Sequence, residues 1–129
     1  MFKLSGKRPR DLGVSDGQFT AAKTWKPNWV SSQVDPSDKH HVAPLPGGQD
    51  PKAVLAKLAR AIEEMPRSVI VERKPDYLRV ECSTPLMGYT DDVELHAAAG
   101  VVHVRSSSRL GIRDFDVNRK RVEALRGKL

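Results

Sequence analysis

The run from Asp91 to Arg105 constrains this chain most, because its pattern admits one local structure. Val93 and Leu95 alternate with Asp92, Glu94 and His96, and Val102 and Val104 alternate with His103 and Arg105. A period of two over that length is the pattern of strands with one buried face. Ala97-Ala98-Ala99-Gly100 lies between the two runs and ends in a glycine, which suits a backbone angle that other residues resist. With those four residues as the loop, His96 is expected to face Val101, Leu95 to meet Val102 and Val93 to meet Val104. Glu94 then meets His103 and Asp92 meets Arg105, so one face is apolar and the other pairs opposite charges across strands.

The second strand is expected to run through Ser106-Ser107-Ser108-Arg109 and to break at Gly111. Asp114 or Asp116 is expected to cap a C-terminal helix whose inner face carries Phe115, Asn118, Val122, Leu125 and Leu129. Asn118 is the polar member of that stripe and needs partners, either in the preceding turn or in a site beside Arg109. Upstream, Asp50-Pro51 is a helix start, and Val54, Leu55, Leu58, Ala61, Ile62 and Met65 recur at helical spacing until Pro66. Val69–Arg73 reads as a strand, Lys74-Pro75-Asp76 as a turn, and Tyr77–Ser83 as a strand with Leu78, Val80 and Cys82 on one face. Pro85–Gly88 is a break before the hairpin. The expected fold is α+β: a four-stranded antiparallel meander with two helices on one face and a long irregular N-terminal segment.

At 129 residues the chain is sized for one domain. Residues 1–24, punctuated by Gly6, Pro9, Gly13 and Gly17, are expected to be a mobile basic tail, and 25–129 the domain. Residues 25–49 are irregular but carry Trp25, Trp29, Val30, Val34 and Leu45, so they are expected to pack across the core. No apolar run approaches the length of a membrane span, and the first residues lack the apolar stretch of a signal peptide, so a cytoplasmic protein is expected. The single cysteine, Cys82, excludes an internal disulfide and a cysteine-based zinc cluster. The net charge of +6 is spread along the chain, and aromatic residues are only 5%, which argues against a base-stacking platform; nucleic acid is not an expected partner.

Five segments carry a family resemblance: Pro27–Gln33 (PNWVSSQ), His41–Leu45 (HVAPL), Tyr89–Glu94 (YTDDVE), Val104–Gly111 (VRSSSRLG) and Asp114–Arg121 (DFDVNRKR). In that order they resemble the domain of unknown function 1499 family, over roughly residues 25 to 129. The resemblance implies a fold neighbourhood and a residue pattern, with no established activity, and relatives that look exported or lipid-anchored. It also implies a cysteine where this chain has Trp29, so no thiol role carries over to that position.

Candidate sites follow from the hairpin. Arg79, Glu81, Asp92, Glu94, His103 and Arg105 are expected to share the sheet face away from the helices, either solvated or partly buried beneath Trp25–Leu45. Asp91, Asp92, Glu94 and His103, with His40 or His41, are the candidates for catalysis or for a borderline divalent cation, but no ligand spacing of a known type appears and no metal is expected. Ser106–Ser108 lack a nucleophile-elbow motif, Cys82 falls on the apolar face, and neither phosphate-binding glycine fingerprint occurs, so no cofactor is expected. Arg105, Ser107, Arg109, Asn118 and Arg119 form the candidate ligand-binding set, because guanidinium forks, a hydroxyl and a helix start can together hold a carboxylate or phosphate. The competing role for those arginines is to bind nearby acids and lock the turn. The sequence therefore reads as a binding or accessory module for an anionic small molecule or an acidic protein partner. A hydrolase or metal-assisted enzyme on the Asp/Glu/His face is the alternative, and a purely structural Arg–Asp network is the third.

Overall fold

The computed structural model of the chain describes residues 8–20, 27–84, 89–109 and 116–129. The expected Trp25 anchor, the Pro85–Gly88 break, the Gly111 break, the Asp114 cap and Phe115 lie outside the described residues.

Four strands form the expected antiparallel meander: β5 (Ser68–Lys74), β6 (Tyr77–Ser83), β7 (Thr90–Ala98) and β8 (Val101–Ser108). Among the described residues the sheet goes further than expected, to six strands. β3 (Trp29–Ser31) and β4 (Leu45–Pro46) both pair antiparallel with β8, β3 at its Arg105–Ser107 end and β4 at Val101–Val102. Without them β8 would present a long open edge, which a folded chain covers or pairs. A separate two-stranded ribbon, β1 (Val14–Ser15) and β2 (Gln18–Phe19), lies within residues 8–20.

The hairpin turn is shorter than expected. Ala98 pairs with Val101, leaving only Ala99-Gly100 as the loop, with Gly100 at φ 76°. Ala97 and Ala98 have joined the strand, so the register moves by two: Leu95 faces Val104, His96 faces His103, and Glu94 faces Arg105. A shift of two preserves every facing direction, so the apolar face stays apolar and the charged face stays charged. The turn is also held from outside. Gly47 N–H donates to Gly100 O at 3.0 Å, and a Cβ on Gly47 would lie 2.6 Å from Val101 N, so only glycine permits this approach.

The two helices, α1 (Pro51–Glu63) and α2 (Val117–Arg126), cover the apolar sheet face. Leu55, Leu58 and Ile62 from α1 and Val122 and Leu125 from α2 pack with Leu78, Val80, Val93, Leu95 and Val104. Asp50 caps α1, its carboxylate accepting from Ala53 N–H at 3.2 Å. Asp50→Ala is expected to lower stability by about 1 kcal/mol, read as a fall in the thermal unfolding midpoint. Asp116 occupies the cap position of α2 but does not cap it as expected. Its backbone is left-handed at φ 67° with no side-chain cap bond, and its carboxylate lies 3.5 Å from Arg119 instead. No helix among the described residues is long and apolar enough to cross a membrane.

Candidate functional site

Strand alternation divides the polar residues of the hairpin between two faces. Tyr77, Arg79, Glu81, Asp92, Glu94, Arg105 and Ser107 lie on the face away from the helices, as the pairs Arg79 with Glu94, Glu81 with Asp92, and Asp92 with Ser107 require. Asp91, Ser106 and Ser108 lie on the helix side with Val93 and Val104.

The outer face is a buried ion network. Glu94, only 1% exposed, accepts from Arg105 Nε at 2.8 Å, Tyr77 Oη–H at 2.7 Å and Gly13 N–H at 2.8 Å, and Arg105 Nη2 also pairs with it. Asp92 takes both forks of Arg109, at 2.9 and 3.0 Å, and the same guanidinium reaches Glu81 at 2.6 Å. Arg8 holds Glu81 from the other side with two bonds, at 2.6 and 2.9 Å. Bidentate arginine–carboxylate pairs of this kind are among the stronger polar contacts a protein makes. The cover is residues 8–20, which fall inside the expected basic tail and lie upstream of the Trp25–Leu45 segment considered for this role. Arg79 donates to Pro9 O at 3.0 Å, Arg105 Nη1 donates to Thr20 O, and the Arg105 guanidinium sits 5.1 Å from the Phe19 ring centroid.

This burial moves several protons. Hydrogen bonds from Arg8 above all, and then from Arg109, hold the Glu81 carboxyl below its ordinary value despite partial burial. The bond to Asp92 raises Arg109, and burial reinforced by the Glu94 bond pushes the Tyr77 hydroxyl far up. His103 is lowered, by burial first and by His96 second, and its Nδ1 lies 2.9 Å from Ser32 Oγ, which accepts from Val104 N–H. A lowered folded value stabilises the protein above the unfolded value and is lost as pH falls through the folded one. Stability is therefore expected to decline in two steps on acidification. The first lies below about 6.5, where unfolded histidine protonates, and the second below about 4.3, where unfolded glutamate does. In a pH series of unfolding midpoints, His103→Gln should flatten the first step and Glu81→Gln the second.

The inner face carries a second polar junction. Asn118, fully buried, accepts from Ser106 Oγ–H at 2.6 Å and from Arg121 at 3.1 Å, and donates to Asn28 O and Ser108 Oγ at 3.0 Å each. Arg121 also pairs with Asp91 at 2.9 Å. The candidate catalytic and metal residues are thus split, with Asp91 inside and Asp92, Glu94 and His103 outside. Among the described residues, no group of three or more His, Cys, Asp or Glu is placed to hold a metal ion. His40 stacks on Trp29 with ring centroids 3.8 Å apart and bonds Asp38 at 2.8 Å. Cys82 is buried and its thiol is raised by that burial.

The ligand-binding set is divided in the same way. Arg105, Ser107 and Arg109 are outside and Asn118 is inside. Arg119 lies at the far end of β3, donating to His41 O at 2.8 Å and Lys39 O at 2.9 Å. There it lines a cleft of about 110 Å³ with Lys39, Trp29, His40 and Asp116. Sequence reasoning missed Arg121, Tyr77 and the Ser32–His103 pair. Only Tyr77 left a signal, since alternation places it on the charged face. Arg121 and Ser32 meet partners 30 and 71 residues away, and no local pattern reports that.

Fold and junctions together define a two-layer α+β domain with a polar seam stitched on each side of its longest hairpin. The chain belongs to the family described as Protein of unknown function (DUF1499), which it matches over residues 21–129. Neither a curated protein nor a solved structure matches it. The segments that carry the resemblance meet at the seam. Asn118 joins Asn28 to Ser106 and Ser108, Arg121 takes Asp91, and Arg119 takes His41 O. Where the resemblance implies a cysteine, Trp29 fills the position with an indole stacked on His40.

Proposed function

We infer that this domain is a binding or accessory module that takes an anionic small molecule or a partner carboxylate, and is not an enzyme working from its charged hairpin. The observation that carries this reading is how positive charge is spent. Arg105 and Arg109 face buried carboxylates that neutralise them. Arg119 meets two neutral carbonyls and only a loose 3.5 Å pair with the exposed Asp116, so most of its charge stays available beside Lys39 at the cleft. A desolvated wall of Trp29 and His40 next to that charge strengthens its pull on an anion. Arg105, Ser107, Arg109 and Asn118 do not line this cleft, and in this reading they hold the fold that positions it. A purely structural role for the hairpin is the second reading, favoured by its reciprocal pairing. The working picture is a single cytoplasmic domain over 25–129, with residues 8–20 laid over the charged face.

The test is thermal unfolding against phosphate, sulfate, acetate and citrate. An anion at a hundred times its dissociation constant stabilises by about 2.7 kcal/mol. The reading expects such a shift in the wild type and in Arg109→Lys, and its loss in a folded Arg119→Glu. No shift with any anion, or a shift indifferent to Arg119, overturns it. Turnover of ester or phosphomonoester substrates that disappears in Asp92→Asn would establish the enzyme instead.

A further inference from the structure

A second cleft, on the opposite side of the domain, has a different chemistry. It opens between α1 and the β5–β6 turn and measures about 370 Å³. Its floor is Leu55, Ala59 and Leu78, with Ala56 on the wall, and its rim carries Lys52, Arg73 and Lys74. The lining holds three cations, no carboxylate and no hydroxyl. Arg73 faces α1 and is engaged there by the half-exposed Glu63, whereas Lys74 stands opposite Tyr77 with its ammonium 5.8 Å over that ring and 3.4 Å from Glu72, on the other face of the sheet. No carboxylate among the described residues pairs with Lys52.

We propose that this cleft binds an aliphatic monocarboxylate, with its chain along Leu55, Ala59 and Leu78 and its carboxylate between Lys52 and Arg73. The size and make-up are those of a small-molecule site, mostly apolar with a few polar groups that set orientation. A phosphate group is a poorer match, because sites for it supply several fixed N–H or hydroxyl donors and this lining offers one flexible ammonium and a guanidinium shared with Glu63, over hydrocarbon. An uncharged chain would leave Lys52 unanswered, and a short acid would leave most of the cleft above Leu55, Ala59 and Leu78 to water. An amphiphile satisfies both, and the Lys52 stem adds apolar wall beneath its charged head. This site shares no residue with the Arg119 cleft and stands or falls apart from it.

The experiment is a heteronuclear NMR titration of the full chain with acetate, hexanoate, octanoate and octanol. Octanoate is expected to shift amides around Ala56, Lys74 and Leu78, and affinity should rise roughly fourfold per added methylene between hexanoate and octanoate. Acetate should produce no saturable shift, and octanol should bind at least tenfold more weakly than octanoate. Lys52→Glu should weaken octanoate at least tenfold and Arg119→Glu should leave it unchanged. Ala56→Trp, at an exposed helix position, should block binding while the folded spectrum is kept. Acetate binding as well as octanoate, shifts centred elsewhere, or indifference to both Lys52→Glu and Ala56→Trp overturns the proposal. So does a response seen only with anionic vesicles, which would make this a membrane-contact surface.

Discussion

Arg105→Met is expected to cost about 3–5 kcal/mol in urea unfolding at neutral pH, the cost of leaving a buried charge without its partner. Glu94 is 1% exposed and Arg105 5% exposed, and the pair lies under residues 13–20. Methionine keeps most of the length and removes the charge. Glu94 would retain Tyr77 Oη–H and Gly13 N–H, two neutral donors in a site that excludes water. A carboxylate so placed takes up a proton in preference to staying charged. Its folded value in the variant then lies above the unfolded one, which favours folding at low pH and loses that advantage as pH rises. The gap between wild type and variant should therefore narrow on acidification from pH 7 to pH 4. Thr20 O and the Phe19 ring also lose the guanidinium, so protease cleavage within residues 8–20 should quicken. A loss below about 1 kcal/mol would mean that Tyr77 and Gly13 suffice to hold Glu94.

Asn118→Leu should cost about 2–4 kcal/mol, because each buried polar group left bare costs about 1–3 kcal/mol. Leucine fits the volume, so the loss comes from hydrogen bonding and not from a cavity. Ser106 Oγ–H loses its acceptor and Ser108 Oγ loses a donor, while Asn28 O keeps Ser108 N–H at 3.0 Å. Asn118→Asp is the informative companion. It keeps an acceptor for Ser106 and Arg121 but gives up donation to Asn28 O and Ser108 Oγ. An aspartate variant as stable as wild type would show that the bonds accepted from Ser106 and Arg121 carry the energy and those donated to Asn28 O and Ser108 Oγ do not.

Much of the domain was legible before any coordinates. The period of 3.6 with Asp50-Pro51 in front marked α1 near its true span, because an amphipathic stripe and a cap are both local. The period of two assigned the faces of β6, β7 and β8 correctly, and those faces survived an error of two in the hairpin register. Loop composition does not distinguish paired alanines from looped ones, so the pairing of Ala97 and Ala98 is visible only in the structure. β3 and β4 are three and two residues long, too short to show any period, and exist because β8 offered an edge.

For the candidate site, strand alternation already separates the acids. Asp91 and Asp92 are neighbours on a strand and so face opposite ways, as do Ser106 and Ser107; the four acidic and histidine candidates could not converge. What alternation could not supply was the identity of each arginine's partner. Arg8 reaches Glu81 across 73 positions, and Arg121 reaches Asp91 across 30. A guanidinium on a long flexible stem can reach any carboxylate that folding brings near, so strand and helix periods fix where it starts and leave open where it ends. The local pattern thus set the elements, their faces and the sign of each surface. Chain crossing decided which charges are neutralised and which remain available, because residues 8–20 cover one face of the sheet and α2 closes over the other.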